Sequence, residues 1–461
     1  MTKKFILNFL SLICVSLSGF TQGKTELPLP SPAQLEWQNA ELVAVFHYDL
    51  HVFDGKTYRQ PSNRITPIAD HNIFNPESLD TDQWVRAAKD MGAKIAILTA
   101  THETGFALYQ SDVNPYSLKA VKWKDGQGDI IRDFVDSCRK YGIKPGIYIG
   151  IRWNSFYGIH DFKVQGDTEF SKNRQEYYNR ICEGMVEELC SRYGDLAIVW
   201  FDGGAHGPAQ GGPDVLSIFE KYQPNGLFYH NLQRADIRWG GSESGTVPYP
   251  CWGTYNTPAW FANRGDDIGF RPLKHGFPDG EYYMPAMSDA PLRGYNGGHE
   301  WFWEPEGEQY IYPLENLMEM YYKSVGRNST LIMGLTPDPH GLMPEADVQR
   351  LQEWGHEISR RFSQPIAQTS GIGNQISLSL DQPQPINHLV IKEDIAQGER
   401  VRKFVVEGIV DGRWLTLYEG SSIGHKHIAR FDTQKVSEIK LRVEESVLEP
   451  VIKKLAVTYI E

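Results

Sequence analysis

The feature that most constrains this chain is a regular alternation of strand-like and helix-like segments between residues 40 and 362. Short apolar runs rich in β-branched residues predict strands, and longer runs with apolar residues three or four apart predict helices. Strands that alternate with helices in this way form parallel sheets. We predict strands at 42–46, 94–100, 145–151, 196–201, 227–230 and 330–335, and helices at 80–91, 129–141, 169–193, 214–222, 314–325 and 345–362.

The number of these units in one long domain predicts an α/β fold, a (β/α)8 TIM-like barrel, over residues 30–365. A doubly wound sheet is the alternative, but no Gly-rich phosphate loop follows the first strand. From residue 376 onward the segments are short, alternating and free of helix patterns. They predict an all-β sandwich over residues 366–461, with a domain boundary at about 363–370.

The N-terminus has the composition of a secretory signal peptide. Lys3 and Lys4 precede an apolar stretch at 5–20, and small and polar residues follow it. We therefore expect residues 1–22 to be removed and the protein to be exported, either to a periplasm or to the medium. A lipid anchor at Cys14 is less favoured, because the residues before it form a poor lipoprotein signal. The stretch is short for a transmembrane span, and the sequence has no other evident membrane segment.

Composition narrows the class of partner and the cysteine chemistry. A formal net charge of −12, without a basic stripe, argues against nucleic acid as a partner. Aromatic residues make up 12% of the chain, a content that suits carbohydrate surfaces. The four cysteines after the signal match neither a zinc site nor a dense disulfide framework, although one disulfide stays open as an alternative. Cys138, Cys182 and Cys190 fall in helix patterns and are predicted to be buried apolar residues.

The predicted strand at 196–201 is followed by a carboxylate, Asp202, and two glycines. Trp200 lies two positions before Asp202, so both side chains should point to the same face. An acid beside an aromatic wall at the C-terminal end of a barrel strand suits the attack on a sugar. On this segment alone, a turn Asp that caps the next helix is the slightly favoured interpretation.

Polar or aromatic residues also follow three other predicted strands, and all of them should line one pocket. They are His47, then His102 and Glu103, then Arg152, Trp153 and Asn154. A metal hydrolase is a second hypothesis, with ligands drawn from His47, Asp49, His51, the His102-Glu103 pair and His206. Barrel metal sites usually have a tighter histidine pair, so this hypothesis is the less favoured one.

A second carboxylate, Glu243, lies in a Gly-rich loop with an aromatic neighbour, in the segment 238–245. Such a loop suits a mobile acid/base residue that faces a nucleophile about 5 Å away in a retaining glycosidase. An ordinary surface glutamate is the alternative, and it is the commoner case.

An ordered set of motifs runs through nearly all of the mature chain. They are Trp200-Phe201-Asp202-Gly203, Arg238-Trp239 with Glu243, and segments 74–76, 79–84, 96–100, 138–148, 324–329 and 337–342. With these motifs the chain resembles the α-L-fucosidases of glycoside hydrolase family 29. Segments 393–395 and 422–426 resemble the discoidin-like sandwich that often follows this barrel.

The resemblance implies a role for each matching residue. Asp202 matches the family nucleophile, and Glu243 matches the acid/base of the Arg-Trp-x-Gly-Asn-Glu subgroup, with Ser242 in place of the Asn. The implied reaction is a double displacement through a covalent glycosyl intermediate, without a metal or cofactor. Because Glu243 must first be protonated, we expect its surroundings to raise its pKa. The implied sugar-binding residues are His47, His102, Tyr148 and Trp200, with Trp153 on the same wall.

Some hydroxyl-reading positions depart from the family pattern. Glu103 stands where a second sugar-binding histidine is usual. Residues 58–61 replace an expected Glu-Trp pair, and 284–287 replace Trp-Pro-x-Glu, although Arg293 is retained as a substrate-binding candidate. Fucose on an oligosaccharide or glycan remains the expected substrate. One alternative is a related sugar such as an α-L-galactoside, because one changed hydrogen bond can strongly alter the discrimination between substrates. The other alternative is a non-catalytic glycan-binding protein.

Overall fold

The computed structural model describes residues 26–260 and 270–461. The predicted signal peptide, residues 1–22, lies outside this part of the chain. No helix among the described residues is both long enough and apolar enough to cross a membrane.

The N-terminal part of the chain forms an eight-stranded parallel sheet whose strands follow one another in chain order. The first strand pairs with the last as well as with the second, so that Val43 lies between Ile332 and Ile95. This pairing gives the strands the order of the predicted TIM-like barrel, with the fifth and sixth strands at the two ends of the hydrogen-bonded order. The strands are β1 (Leu42–Phe46), β2 (Ile95–Thr101), β3 (Lys144–Ile149), β4 (Ile198–Ala205), β5 (Leu227–Asn231), β6 (Arg238–Trp239), β7 (Ala286–Pro291) and β8 (Ser329–Leu335).

Helices connect these strands and pack outside them. The helix after β2 begins at Asp129, whose carboxylate accepts a hydrogen bond from the backbone N–H of Arg132 at 2.9 Å. It ends at Gly142, whose φ of 72° lies in the left-handed region that glycine favours. The α-helices are α1 (Pro32–Ala40), α2 (Gln60–Asn63), α3 (Thr81–Asp90), α4 (Ile130–Tyr141), α5 (Glu169–Arg192), α6 (Val215–Tyr222), α7 (Phe270–His275), α8 (Leu314–Lys323) and α9 (Glu345–Phe362).

Alternate residues of the barrel strands feed two separate apolar cores. Val43 and Ile97 belong to the cluster inside the barrel, which α1 extends with Trp37. Their strand neighbours, such as Ala44 and Leu98, pack outward against the helices. This two-residue period places Trp200 on the inner face, and it directs the side chain two positions later toward the inside of the barrel as well.

The C-terminal part is a six-stranded antiparallel sheet that confirms the predicted all-β domain. Its two longest strands carry shifts in register that divide each of them into shorter paired segments. Apolar residues of these segments enclose a core of their own, which includes Leu389, Phe404 and Leu441. The strands are β9 (Ala367–Ile372), β10 (Gln375–Glu393), β11 (Val401–Val410), β12 (Arg413–Gly420), β13 (His427–Ser446) and β14 (Val451–Thr458).

A charged cluster ties the barrel to this sandwich. Glu41, between α1 and β1, accepts hydrogen bonds from Lys392 at 2.8 Å and Lys426 at 2.7 Å, both from the sandwich. Tyr321 of α8 donates to the same carboxylate at 3.0 Å. Burial raises the pKa of Glu41, but the two lysines and His425 outweigh it and hold that pKa well below its ordinary value. We call these five residues the junction cluster.

All four cysteines in the described part of the chain are free and buried, which answers the open question of a disulfide among them. Three lie on helices of the barrel, as predicted: Cys138 on α4, and Cys182 and Cys190 on α5. Cys251 lies in the connection between β6 and β7. Its backbone N–H faces the Ser422 hydroxyl of the sandwich at 3.3 Å.

Candidate active site

One cavity opens at the C-terminal end of the barrel strands, with a volume of about 320 Å³. Several strand ends and the connections after β6 and β7 contribute to its wall. The mixture of acids, imidazoles and aromatic rings is that of a site for a polar ligand with apolar faces. The lining residues are His47, Tyr58, Gln60, His102, Tyr148, Trp200, Asp202, Glu243, Asp289, His299, Trp301 and Phe302.

Asp202, on β4, is held at the wall of this cavity by Tyr148 of β3. The Tyr148 hydroxyl donates to Asp202 Oδ2 at 3.2 Å. Burial and the negative charge of Glu243 raise the pKa of Asp202, while Tyr148, Arg152 and Arg64 act in the opposite direction. The next residue must be glycine, because its φ is +65° and a Cβ there would lie 2.7 Å from a guanidinium nitrogen of Arg152.

Glu243 lies in the loop after β6, and two donors converge on one of its carboxyl oxygens. Trp301 Nε1 donates to Oε2 at 2.9 Å, and His299 Nε2 lies 2.8 Å from the same atom. Burial raises the pKa of Glu243, but these two contacts and the charge of His299 outweigh it, so the pKa is lowered. The expectation of a raised pKa for Glu243 is therefore wrong for this structure, because His299 and Trp301 reach Glu243 only through the tertiary fold.

His47 and His102 stand side by side after β1 and β2. Their ring centres are 5.7 Å apart, and His102 stacks on Tyr148 at 5.3 Å. Burial lowers the pKa of His47 to about 3 and lowers that of His102 well below its ordinary value. Both imidazoles are therefore neutral near pH 7, and each can donate and accept hydrogen bonds with a hydroxyl-rich ligand.

A third carboxyl group in the cavity wall, Asp289, was not foreseen from the sequence. It lies in the middle of β7, where Trp239 Nε1 donates to its Oδ1 at 2.8 Å. Burial, together with the charges of Glu243 and Asp202, raises its pKa well above the ordinary value. The sequence offers only a weak signal for it, a lone acid in the run 286–291, which has no hydrophobic period.

Two of the proposed sugar-binding residues, Glu103 and Trp153, are absent from the residues that line the cavity. Glu103 accepts hydrogen bonds from the Tyr58 hydroxyl and from Arg64 Nε, both at 2.7 Å. The Arg64 guanidinium lies 4.2 Å from the centre of the Trp153 ring. Tyr58 and Gln60, from the segment that replaces the expected Glu-Trp pair, line the cavity instead. Glu103 therefore supports the cavity wall through Tyr58.

Arg293 is also absent from the cavity lining. It is buried, its Nε lies 3.1 Å from Asp347 of α9, and its Nη1 lies 3.6 Å from Glu300. These contacts favour a structural role, in which Arg293 fastens the loop between β7 and α8. That loop carries His299, Trp301 and Phe302 into the cavity.

Two residues of the metal-hydrolase hypothesis, Asp49 and His206, are engaged in other contacts. Asp49 accepts hydrogen bonds from Leu50 N and from Thr104, at 2.7 and 2.6 Å. His206 stacks on Phe162 with 4.0 Å between ring centres. Across residues 26–260 and 270–461, no three His, Cys, Asp or Glu side chains are grouped so that they could hold a metal ion.

The fold and the cavity together define a class: a barrel enzyme whose acids and aromatic rings surround a pocket of monosaccharide size, as in a glycoside hydrolase. Comparison with known proteins gives the particular family. The family model described as alpha-L-fucosidase matches residues 29–360. The chain belongs to the alpha-L-fucosidase family, glycoside hydrolase family 29, and is a glycoside hydrolase.

Solved structures and curated relatives agree with this membership. A Bacteroides thetaiotaomicron protein assigned to the alpha-L-fucosidases is 58% identical, with a TM-score of 0.93 over 95% of this chain and 100% of its own. A family 29 member from an unknown rumen bacterium is 29% identical, with a TM-score of 0.78 over 94% of this chain and 78% of its own. Alpha-L-fucosidase 1 of Arabidopsis thaliana is 28% identical over 92% of this chain and 86% of its own.

Proposed function

We propose that this enzyme is a retaining exo-glycosidase that removes terminal α-L-fucosyl residues from oligosaccharides or glycans. The observation that carries the proposal is that Asp202 and Glu243 line the same cavity of about 320 Å³ at the C-terminal end of the barrel. A retaining glycosidase needs two carboxyl groups around one glycosidic bond, one as nucleophile and one as acid/base. Asp202 is the proposed nucleophile and Glu243 the proposed acid/base.

In the first step, an oxygen of Asp202 bonds to the anomeric carbon as the glycosidic C–O bond breaks. The electron pair of that bond goes to the leaving oxygen, which takes a proton from Glu243. In the second step, Glu243 removes a proton from water, and the water oxygen bonds to the anomeric carbon. The bond to Asp202 breaks, its electrons return to the carboxylate, and the anomeric configuration is retained.

The cavity supports a single sugar ring as the bound unit. Its volume lies at the lower end of the range for small-molecule pockets, which favours removal of a terminal residue. Trp200, Trp301 and Phe302 offer aromatic surface to the apolar face of a sugar, and His47 and His102 offer hydrogen bonds to its hydroxyl groups. Fucose is the proposed sugar because the relatives named above are assigned to the alpha-L-fucosidases.

Hydrolysis of aryl α-L-fucoside, beside aryl α-L-galactoside, tests the reaction and the sugar together. We expect the wild type to prefer the fucoside, and Asp202→Asn to reduce kcat by about four orders of magnitude or more while the protein stays folded. Proton NMR of the first product formed should show the α anomer. A β anomer first would contradict retention, and a preference for the galactoside would replace the proposed sugar.

Fucose binding by Asp202→Asn separates an enzyme from the alternative of a non-catalytic glycan-binding protein. An enzyme loses turnover in this variant and keeps binding in the micromolar to millimolar range. A wild type that binds fucosylated glycans and turns over neither aryl glycoside would favour the binding protein.

We further propose that residues 30–365 form the catalytic domain, that 366–461 form a discoidin-like sandwich, and that the protein is exported. Export rests on the sequence of residues 1–22 alone. Cell fractionation with N-terminal sequencing tests it, and a protein found in the cytoplasm with residues 1–22 still attached would contradict it.

A further inference from the structure

The geometry around Glu243 distinguishes its two carboxyl oxygens. His299 Nε2 and Trp301 Nε1 both approach Oε2, at 2.8 and 2.9 Å. These two donors leave Oε1 to a substrate in the cavity. The carboxyl group is therefore oriented from the loop between β7 and α8, as well as by its own loop after β6.

The loop between β7 and α8 is anchored close to the contact between His299 and Glu243. The backbone N–H of Glu300 donates to the Arg293 carbonyl at 3.2 Å, and the Glu300 side chain faces the Arg293 guanidinium. Arg293 is in turn paired with Asp347 of α9. His299 directly precedes Glu300, so its backbone is positioned by a tethered segment.

Packing gives little reason for a histidine at position 299. Its side chain is 60% exposed, so burial contributes little to holding it in place. Its closest polar contact is with Glu243, whose side chain is itself 41% exposed toward the cavity. The imidazole therefore contacts Glu243 and contributes little to the apolar core.

The charges around His299 and Glu243 favour a proton that stays on one of these two side chains. The hydrogen bond to Glu243 and its negative charge raise the pKa of His299, against the opposing effect of burial. Asp202 on β4 and Asp289 on β7 also face Glu243, and His47 after β1 lies near enough to interact with it. The two acids disfavour a further negative charge, and His47 is neutral near pH 7.

We propose that His299 and Glu243 form a proton-sharing pair, in which His299 is a positioning residue that holds Glu243 and stores the proton for the leaving group. The proposal rests on the proposed function and deepens it. At rest the proton is on His299 Nε2 and Glu243 is a carboxylate. During the first step it moves to Glu243 Oε2, the carboxyl group turns that oxygen from His299 to the glycosidic oxygen, and the leaving oxygen takes the proton, which leaves a neutral imidazole. The proton that Glu243 takes from water in the second step restores the pair.

The first test does not require turnover. NMR titration of histidine ring signals, with His299 assigned by its loss in His299→Gln, gives the midpoint of its protonation in the wild type and in Glu243→Gln. We expect a midpoint above that of an ordinary histidine in the wild type and a lower one, near pH 6.5, in Glu243→Gln. An equal midpoint in the two proteins would overturn the pair.

The second test uses the pH profile of kcat/KM with aryl α-L-fucoside. Glutamine keeps an N–H donor in place of Nε2 but cannot titrate. His299→Gln should move the alkaline limb down by about one to two pH units, since the last proton now belongs to a carboxyl group alone. At pH 7 kcat should fall by about 10- to 100-fold, with KM changed much less. An unchanged profile in His299→Gln would show that positioning alone suffices and would overturn proton storage.

His356→Gln is the matched control, because His356 is an exposed histidine on α9, and its profile should equal that of the wild type. The failure of this inference is distinguishable from that of the proposed function. If the wild type hydrolyses no aryl α-L-fucoside, the proposed function fails, and the NMR titration still decides whether the pair exists.

Discussion

At the residue scale, the surroundings shift the pKa values of the two carboxyl groups proposed for the chemistry in opposite directions. Asp202 receives one hydroxyl donor, and burial beside a second acid raises its pKa. Glu243 receives an indole and an imidazole, and its pKa is lowered. Two nearby carboxylates disfavour each other's charge, so a cation beside one of them eases ionisation of both. In the proposed pair His299 is that cation, and its contact with Glu243 favours ionisation of Asp202, the proposed nucleophile.

Tyr148→Phe tests the hydrogen bond from the Tyr148 hydroxyl to the Asp202 carboxylate. The hydroxyl stabilises the carboxylate form, so its loss should raise the pKa of Asp202 further. A nucleophile must be ionised, and activity is lost as the pH falls through its pKa. The acidic limb of kcat/KM should therefore move upward, by about one pH unit for one hydrogen bond to a charged group.

The profile of kcat/KM against pH with aryl α-L-fucoside measures this shift, and the alkaline limb should stay in place. A downward or absent shift of the acidic limb in Tyr148→Phe would contradict the role of the tyrosine as a donor to the nucleophile.

At the element scale, the sequence predicted the barrel helices closely because their boundaries carry local signals. The helix predicted at 129–141 is found at Ile130–Tyr141, with the Asp129 cap and the Gly142 stop as its limits. Helix 345–362 was predicted to the residue. An amphipathic period and a cap are properties of neighbouring residues, so they can be read without knowledge of the tertiary structure.

The segment 234–309 could not be read in this way. The strand β6 is only two residues long, and β7 contains Ser288 and Asp289 in a run of six. Neither has a hydrophobic period that distinguishes it from loop. Their positions depend on pairing, Ala286 with Arg238 and Met287 with Trp239, which is a long-range property. For the same reason Asp289, His299 and Trp301 were missed as site residues.

The loop between β7 and α8 yields a prediction at this scale. Asp347→Ala removes the nearer of the two carboxylates beside the buried Arg293 and leaves Glu300, so it should lower the free energy of unfolding by about 3 kcal/mol, the lower end for a broken buried pair. Because the same loop presents His299 and Trp301, kcat with aryl α-L-fucoside should fall as well. Denaturant unfolding and steady-state kinetics measure the two effects.

The double variant Arg293→Met with Asp347→Leu is the control for charge, because it removes both members of the ion pair. It should recover part of the lost stability, because Arg293 and Asp347 are removed together and only Glu300, which faced the guanidinium, loses a partner. Equal destabilisation in the single and double variants would mean that packing, not charge, fastens the loop.

At the scale of the whole molecule, the junction cluster joins two domains whose cores are separate. Glu41→Gln leaves the buried Lys426 without its anionic partner, so we expect a loss of about 3 kcal/mol at pH 7 and a lower Tm. The pKa of Glu41 is depressed, so its contribution is present above the ordinary glutamate pKa and is lost as the pH falls through the lowered one. The difference in Tm from the wild type should narrow below about pH 4.

Glu36→Gln is the matched control for the junction. Glu36 pairs with Lys144 at the surface, where an ion pair contributes only about 0–1 kcal/mol. Calorimetry at pH 7 and about pH 3 should show a small change for this variant at both values. A deficit for Glu41→Gln that does not depend on pH would show that the carboxylate charge is unimportant at the junction.

The buried cysteines provide a way to follow the unfolding of this protein. Burial raises the pKa of Cys182 and Cys190 to about 12 and that of Cys251 to about 11, so the folded protein holds them as unreactive thiols. Cys251 lies against the sandwich, whereas the other three lie within the barrel helices. A thiol reagent should therefore label Cys251 at the rate at which the two domains separate. It should label Cys138, Cys182 and Cys190 at the rate at which the barrel unfolds.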